Sequence, residues 1–141
     1  MRAFQSLRSP RSPESARGFT MIELLVVVSL IVILATMGMG LYKTGVIHAK
    51  EAVLKDDLFQ MRDAIDQYYA DKGQYPAALD ALVTDGYVRK IPQDPFTNSS
   101  DSWQTVPSEP DPTNPNATPG VYDVKSGSDG TAIDGTKYAD W

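Results

Sequence analysis

A long apolar run between residues 19 and 42 dominates the sequence, and few polar side chains interrupt it. These are Thr20, Glu23, Ser29 and Thr36. A helix over the run would be about 36 Å long at 1.5 Å per residue, which is enough to cross a hydrocarbon core of about 30 Å. The run therefore predicts a membrane-spanning helix that starts at Phe19.

Charged residues appear from residue 43 onward, but the helical period of the apolar positions continues. Gaps of three, four and seven residues separate Ile47, Leu54, Leu58, Met61, Ile65 and Tyr68. This spacing places them on one face of a helix. Gly73 suits the left-handed residue that follows a helix, so the helix is predicted to end at Lys72. Gly38 and Gly40 each weaken a helix by about 1 kcal/mol, which predicts a bend or an unwound turn there.

The remaining half of the chain predicts a small mixed domain. Residues 77–84 present apolar positions at helical spacing, and residues 106–120 hold five prolines and predict a surface loop. Residues 121–125 alternate as a strand does, with residues 103–106 as a predicted neighbour and residues 137–141 as a third short strand. The predicted fold class is α+β: a long N-terminal helix whose amphipathic half carries a small antiparallel β-sheet head.

The segment before the apolar run is basic and rich in serine and proline. It holds four of the 13 basic residues and one of the 18 acidic residues. Basic flanks stay on the cytoplasmic side, so residues 1–18 are predicted to be a cytoplasmic leader. Gly18 precedes the apolar run, whereas the cleavage site of a secretory signal peptide follows it. The predicted division of the chain is therefore a leader (1–18), a membrane-spanning helix (19–42) and a globular domain (43–141).

Charge and composition exclude several classes of function. Without the leader the chain has a net charge of −8, which disfavours nucleic acid as a partner because phosphate binding needs clustered Lys and Arg. There is no cysteine for a nucleophile or a disulfide, and His48 is the only histidine. We therefore predict no catalytic residues and a chain that is not an enzyme.

Glu23 is the residue of the apolar run that is least favourable in a membrane. Insertion of a carboxylate into a bilayer costs about 2.5–3.5 kcal/mol at a helix centre and less near an end. Glu23 lies in residues 18–25, GFTMIELL, after the basic leader. This combination resembles the N-terminal signal of type IV pilins and of the pseudopilins of type II secretion. The resemblance implies that a prepilin peptidase cuts after Gly18 and methylates the new amino terminus at Phe19.

A filament that buries such helices must neutralise Glu23, and the nearest cation is the Phe19 amine of a neighbouring subunit. The alternative is an uncleaved signal anchor with its acid at the membrane interface.

The resemblance extends to the major, G-type pseudopilin through the remainder of the chain. It is carried by residues 67–76, 79–82, 86–88 and 91–96, and by a C-terminal segment, residues 121–130 and 139–141, that resembles the calcium loop of that subtype. For Ca²⁺ the resemblance implies the side chains of Asp129, Asp134 and Asp140, with an oxygen from Ser126. Flexible Gly, Ser and Asp loops supply the oxygen ligands that calcium needs. A set of ordinary Asp-Gly turns is the alternative.

Two positions depart from the family pattern. Gly40 stands where members commonly carry a proline, and the loop over residues 99–120 is longer and richer in proline than expected. Both departures leave open a type IV pilus-like filament.

The resemblance implies a single-pass inner-membrane protein with a periplasmic C-terminal domain, assembled into a homo-oligomeric filament that drives protein export across the outer membrane. The implied partners are minor pseudopilins, the prepilin peptidase and an inner-membrane assembly platform with a cytoplasmic ATPase. One alternative is a type IV pilin for adhesion or motility. Another, of a different class, is a monomeric membrane-anchored binding domain.

Overall fold

A computed structural model describes residues 18–110 and 112–141. The predicted leader, except for Gly18, lies outside the described residues. The chain divides into two compact units, one that ends at Gly40 and one that comprises Leu41–Trp141. Each unit is described by itself below.

Helix α1 comprises Met21–Lys72 and is capped at both ends. The Glu23 N–H donates to Thr20 Oγ1 at 3.2 Å, and the Leu24 N–H donates to the Thr20 carbonyl at 3.1 Å. Because Thr20 acts as the N-terminal cap, the helix begins at Met21 and not at Phe19 as predicted. At the other end Gly73 takes the predicted left-handed conformation, with φ of 67°.

The apolar part of α1 stays helical through Gly38 and Gly40, so the predicted unwound turn at these glycines is wrong. Intrahelical hydrogen bonding outweighs the cost of about 1 kcal/mol that each glycine adds. Among the described residues α1 is the one helix long and apolar enough to cross a membrane, with a mean hydropathy of 2.7 over its most apolar 18 residues.

The core of the second unit forms on the predicted face of α1. Leu54, Met61 and Ile65 are fully buried, and Leu58 and Tyr68 are nearly so. Ile47, the first residue of that face, is 39% exposed and lies outside the core. The buried side chains contributed by the remainder of the unit include Leu82, Trp103, Val121, Val124, Ala132 and Tyr138.

The remainder of the second unit follows the predicted order with shifted boundaries. Helix α2 is Leu79–Thr84, two residues shorter at its start than predicted. Strands β1, Gln104–Pro107, and β2, Val121–Lys125, pair antiparallel with Thr105 opposite Val124. Strand β1 thus takes the first two residues of the predicted loop.

The predicted third strand over residues 137–141 is wrong. Tyr138–Asp140 form a single 3-10 turn, and Lys137 makes one isolated bridge with Thr131. The turn lets the Tyr138 ring stack on Phe96, with ring centroids 4.0 Å apart, while Trp141 meets the same ring edge-on at 5.1 Å. Aromatic packing, and not strand pairing, therefore fixes the C-terminal segment.

Candidate functional site

The predicted cleavage site lies on exposed, non-helical backbone. Gly18 has open space around its Cα, and the Phe19 side chain is 84% exposed. Helix α1 begins only at Met21, so the bond between Gly18 and Phe19 lies outside the hydrogen-bonded helix. A peptidase can reach an exposed, non-helical bond without first unwinding a helix.

Glu23 lies in the first turn of α1 and is exposed. Thr20 and Glu23 are spaced as in a capping box, a Ser or Thr followed three residues later by Glu, and the half in which Thr20 accepts the Glu23 N–H is formed at 3.2 Å. The sequence prediction missed this local role of Thr20, although the spacing shows it. A carboxylate at a helix N-terminus gains about 0.3–1 kcal/mol. That gain is smaller than the cost of about 3–5 kcal/mol for a buried unpaired charge, so capping does not remove the need for a cation.

The apolar side chains of residues 19–42 form a continuous uncovered surface. Their exposed fractions range from 47% at Val27 to 86% at Met21. Ser29 and Thr36 direct their hydroxyls back to the carbonyls of Leu25 and Ile33, at 2.7 Å and 2.8 Å. Because these polar groups are satisfied within the helix, they can enter an apolar environment at little cost.

Ser126 has a different role in the structure from the three aspartates that were predicted to bind calcium. Ser126 is fully buried, and its hydroxyl donates to Asp94 Oδ2 at 2.5 Å. Asp129, Asp134 and Asp140 are exposed. Asp134 Oδ1 accepts from the Thr136 hydroxyl and N–H at 2.6 Å and 2.9 Å, and these hydrogen bonds lower the pKa of that carboxyl.

Side chains alone do not assemble a metal site in this loop. Within residues 18–110 and 112–141, no three His, Asp or Glu side chains are grouped so that they could hold one ion. The three aspartates are therefore not brought together as a set of carboxylates. Calcium here would need main-chain carbonyl oxygens and water as most of its ligands, and the ion stays a prediction.

Glu51 is a buried acid that the sequence prediction missed. It is 9% exposed, and its Oε1 accepts hydrogen bonds from the Tyr138 hydroxyl and the Ile133 N–H, both at 2.9 Å. Burial, together with the hydrogen bond to Glu51, raises the pKa of Tyr138 to about 12. The gap of seven between Ile47 and Leu54 contained the signal, because Glu51 occupies the position where the helical period calls for an apolar residue.

Arg62 ties α1 to the C-terminal half of the second unit. Its Nε donates to Asp123 Oδ1 at 2.6 Å, and its Nη2 donates to the main-chain oxygens of Val124 and Trp141 at 3.0 Å and 2.8 Å. Asp94 makes a second tie, since it is fully buried and accepts from both Ser126 and the Phe96 N–H. These polar links hold the segment after β2 in a chain that contains no cysteine.

Comparisons with known proteins point to one family. A family profile described as the prokaryotic N-terminal methylation motif matches residues 15–39. The type II secretion system core protein G of Klebsiella michiganensis is 31% identical to the chain over 99 residues, which are 59% of this chain and 70% of that protein. The protein of the same name from Pseudomonas aeruginosa is 35% identical over 97 residues, 57% of this chain and 68% of that protein.

A fimbrial protein, EcpC of Eikenella corrodens, is 31% identical over 80 residues, 53% of this chain and 52% of that protein. A search of the solved structures gave no match. The profile covers Gly18, Phe19 and Glu23, and the relatives named core protein G share about two thirds of their length with the chain.

Proposed function

The chain belongs to the family of the type II secretion system core protein G, a structural subunit of the pseudopilus, and from this premise we propose how its parts serve that filament. The observation that carries the proposal is the accessible bond after Gly18, followed directly by an apolar helix whose whole surface is uncovered. A surface pilin is not favoured, because the chain matches only 52% of the length of the fimbrial relative.

Processing creates the assembling end of the chain. Hydrolysis of the peptide bond after Gly18 leaves a carboxylate on the leader and a free amine on Phe19, which the prepilin peptidase then methylates. The methylated amine keeps its positive charge. Cleavage there leaves α1 attached to the product, so the subunit stays anchored in the inner membrane until it is assembled.

Glu23 then selects the register of assembly. When the apolar surfaces of several copies pack together, water and lipid headgroups are excluded and each Glu23 carboxylate needs a cation. The Phe19 amine of the next copy is such a cation, at the same end of the helix. A copy that enters out of register would bury an unpaired carboxylate at a cost of about 3–5 kcal/mol.

The second unit becomes the periplasmic head, and its partners follow from the family. They are minor pseudopilins, an inner-membrane platform with a cytoplasmic ATPase and the prepilin peptidase. The structural basis for a stable head is the pair of buried acids, Glu51 and Asp94, which hold the C-terminal segment against α1 and the 94–99 turn. The energy for export comes from the ATPase, and the chain serves as the structural element that extends.

A calcium ion on the C-terminal loop is part of the proposal. The resemblance of residues 121–130 to a calcium loop supports it. Asp129, Asp134 and Asp140 are exposed to solvent, but they are not grouped around one point. Carbonyl oxygens of the loop complete the ligand set in this proposal.

Mass spectrometry of the chain from cells that contain a prepilin peptidase tests the processing step. We expect a mature chain that starts at a methylated Phe19. Gly18→Val, which adds a branched side chain at the cleaved bond, should leave the leader attached, while the control Gly45→Ala in α1 should be processed normally. An intact Met1 terminus in the unsubstituted chain would contradict the proposal and favour the monomeric anchored domain.

A further inference from the structure

Phe59 is the most exposed large apolar side chain beyond Tyr42, with 70% of its surface uncovered. It lies on α1 beside Leu58 and two residues before Met61, which are 2% and 0% exposed. The ring therefore projects from the face of α1 opposite the core. The fold of a single copy gives it no cover.

The surroundings of Phe59 have the composition of an interface centre. One turn to either side, Asp56 and Asp63 accept hydrogen bonds from Gln60 and Gln67, each at 2.7 Å. Ala52, two turns back, is small and exposed. An aromatic ring surrounded by a polar rim is the arrangement in which a single side chain contributes most to association.

Lipid is not the occupant of this face. Phe59 follows Leu41, the last aliphatic residue of the apolar run, by 18 residues. At 1.5 Å per residue that places the ring about 27 Å along the helix beyond the run that spans the membrane. The ring is thus outside the bilayer, and its cover has to come from protein.

The apolar run of another copy offers a matching surface. Its side chains are 47–86% exposed, and they lose their lipid cover when the subunit leaves the membrane. We propose that Phe59 packs against the apolar run, residues 19–41, of α1 in a second copy. This proposal rests on the assembly described above. With parallel helices it requires the second copy to be advanced along the filament relative to the first, so that its apolar run lies level with the ring.

The first test is assembly of the full chain after processing. Phe59→Ala should lower the amount of sedimented filament about tenfold, because the loss of an interface centre weakens affinity by about one order of magnitude. Phe59→Leu, which keeps an apolar side chain, should restore most of the yield. Tyr122→Ala is the matched control, because Tyr122 is also aromatic and 56% exposed but lies on β2. Phe59→Ala and Phe59→Leu should melt at the same temperature as the unsubstituted chain, since the Phe59 ring is not in the core. Tyr122→Ala loses an edge-on contact with Tyr75, so the filament yields are compared well below the melting temperature of each variant.

The second test uses the absence of cysteine from the sequence. A copy with Phe59→Cys is assembled with a tagged copy that carries cysteine at Val27, Leu34 or Leu41, three positions one heptad apart. Oxidation should give a mixed dimer with at least one of the three, and Tyr122→Cys should give none. Crosslinks that join only Phe59→Cys to itself would overturn the proposed occupant.

Comparison with Glu23 separates this proposal from the one on which it rests. If Phe59→Ala assembles like the unsubstituted chain while Glu23→Ala does not, the Phe59 contact is wrong and the pairing of Glu23 stands. If both variants assemble normally, the pairing of Glu23 is wrong as well.

Discussion

Tyr138 donates its hydroxyl to Glu51 Oε1 at 2.9 Å, across 87 residues of sequence, and both groups are buried. The same carboxylate oxygen accepts the Ile133 N–H at 2.9 Å. One acid on α1 therefore holds two points of the C-terminal segment, the loop at Ile133 and the 3-10 turn at Tyr138.

Glu51→Ala should destabilise the second unit by about 1–3 kcal/mol, because it leaves the buried Tyr138 hydroxyl and the partly buried Ile133 N–H without their acceptor. Glu51→Gln keeps an acceptor oxygen and should lose less. Chemical unfolding of the processed chain in detergent measures both. A loss in Glu51→Gln as large as that in Glu51→Ala would show that the negative charge, and not the acceptor, is what matters.

The pKa of Tyr138 predicts a stability change at high pH. Burial and the bond to Glu51 raise the pKa in the folded chain to about 12, above the ordinary value of 10.0. A raised folded pKa means that the contribution is fully present below pH 10 and is lost as the pH rises through about 12. Burial also raises the pKa of Tyr75, and the hydrogen bond to Asp71 raises the pKa of Tyr87. Tyrosinate absorbance should therefore show one of the seven tyrosines titrating near pH 12, and unfolding midpoints should fall as the pH rises toward that value. Tyr138→Phe should remove the late titration; if it persists in that variant, the assignment to Tyr138 is wrong.

Gly127 should tolerate no side chain. A Cβ there would lie 1.9 Å from the Ser102 carbonyl oxygen, which is main-chain and cannot move aside cheaply. Gly127→Ala should cost about 1–3 kcal/mol from overpacking. Gly45→Ala is the control, since Gly45 is helical with open space around it and should gain up to about 1 kcal/mol. Thermal unfolding of the two variants should move in opposite directions, and equal shifts would contradict the close contact.

Much of the fold could be predicted because it depends on periodic patterns. The spacing from Leu54 to Tyr68 locates the core face of α1, and alternation locates β2. Residues 137–141, KYADW, could not be assigned in the same way, because so short a segment has no period that distinguishes a strand from a turn. Tertiary packing of Tyr138 between Phe96 and Trp141 decides between them.

The residues of the candidate site also differ in whether sequence alone could locate them. Gly18, Phe19 and Glu23 form a local motif, so sequence alone locates them. Glu51 and Arg62 act through partners 61 to 87 residues away, and a lone acid or base on a helix looks like an ordinary solvated charge. Glu51 differs only in occupying an apolar position of the helical period.

Calcium binding by the C-terminal loop can be measured directly. Titration calorimetry of the processed chain should show one ion per chain, and a chelator should lower the melting temperature. Asp129→Asn and Asp134→Asn should weaken binding, while the control Asp66→Asn, on the exposed face of α1, should not. No heat of binding and no effect of chelator would leave the loop as a set of Asp-Gly turns held by Glu51 and Asp94.

Glu23→Gln separates the pairing role of the carboxylate from its place at the helix start. The backbone N–H of residue 23 donates to Thr20 Oγ1, and this bond does not use the carboxylate, so the helix should begin normally. The variant should insert and be processed, yet assemble poorly, because the Phe19 amine of the next copy loses its partner in a buried setting.

Thr20→Ala makes the opposite change: it removes a cap worth about 1 kcal/mol and keeps the carboxylate. Filament yield after processing should therefore fall steeply for Glu23→Gln and little for Thr20→Ala. Equal losses would assign Glu23 to capping, and a normal yield from Glu23→Gln would remove the charge pair from the account of assembly.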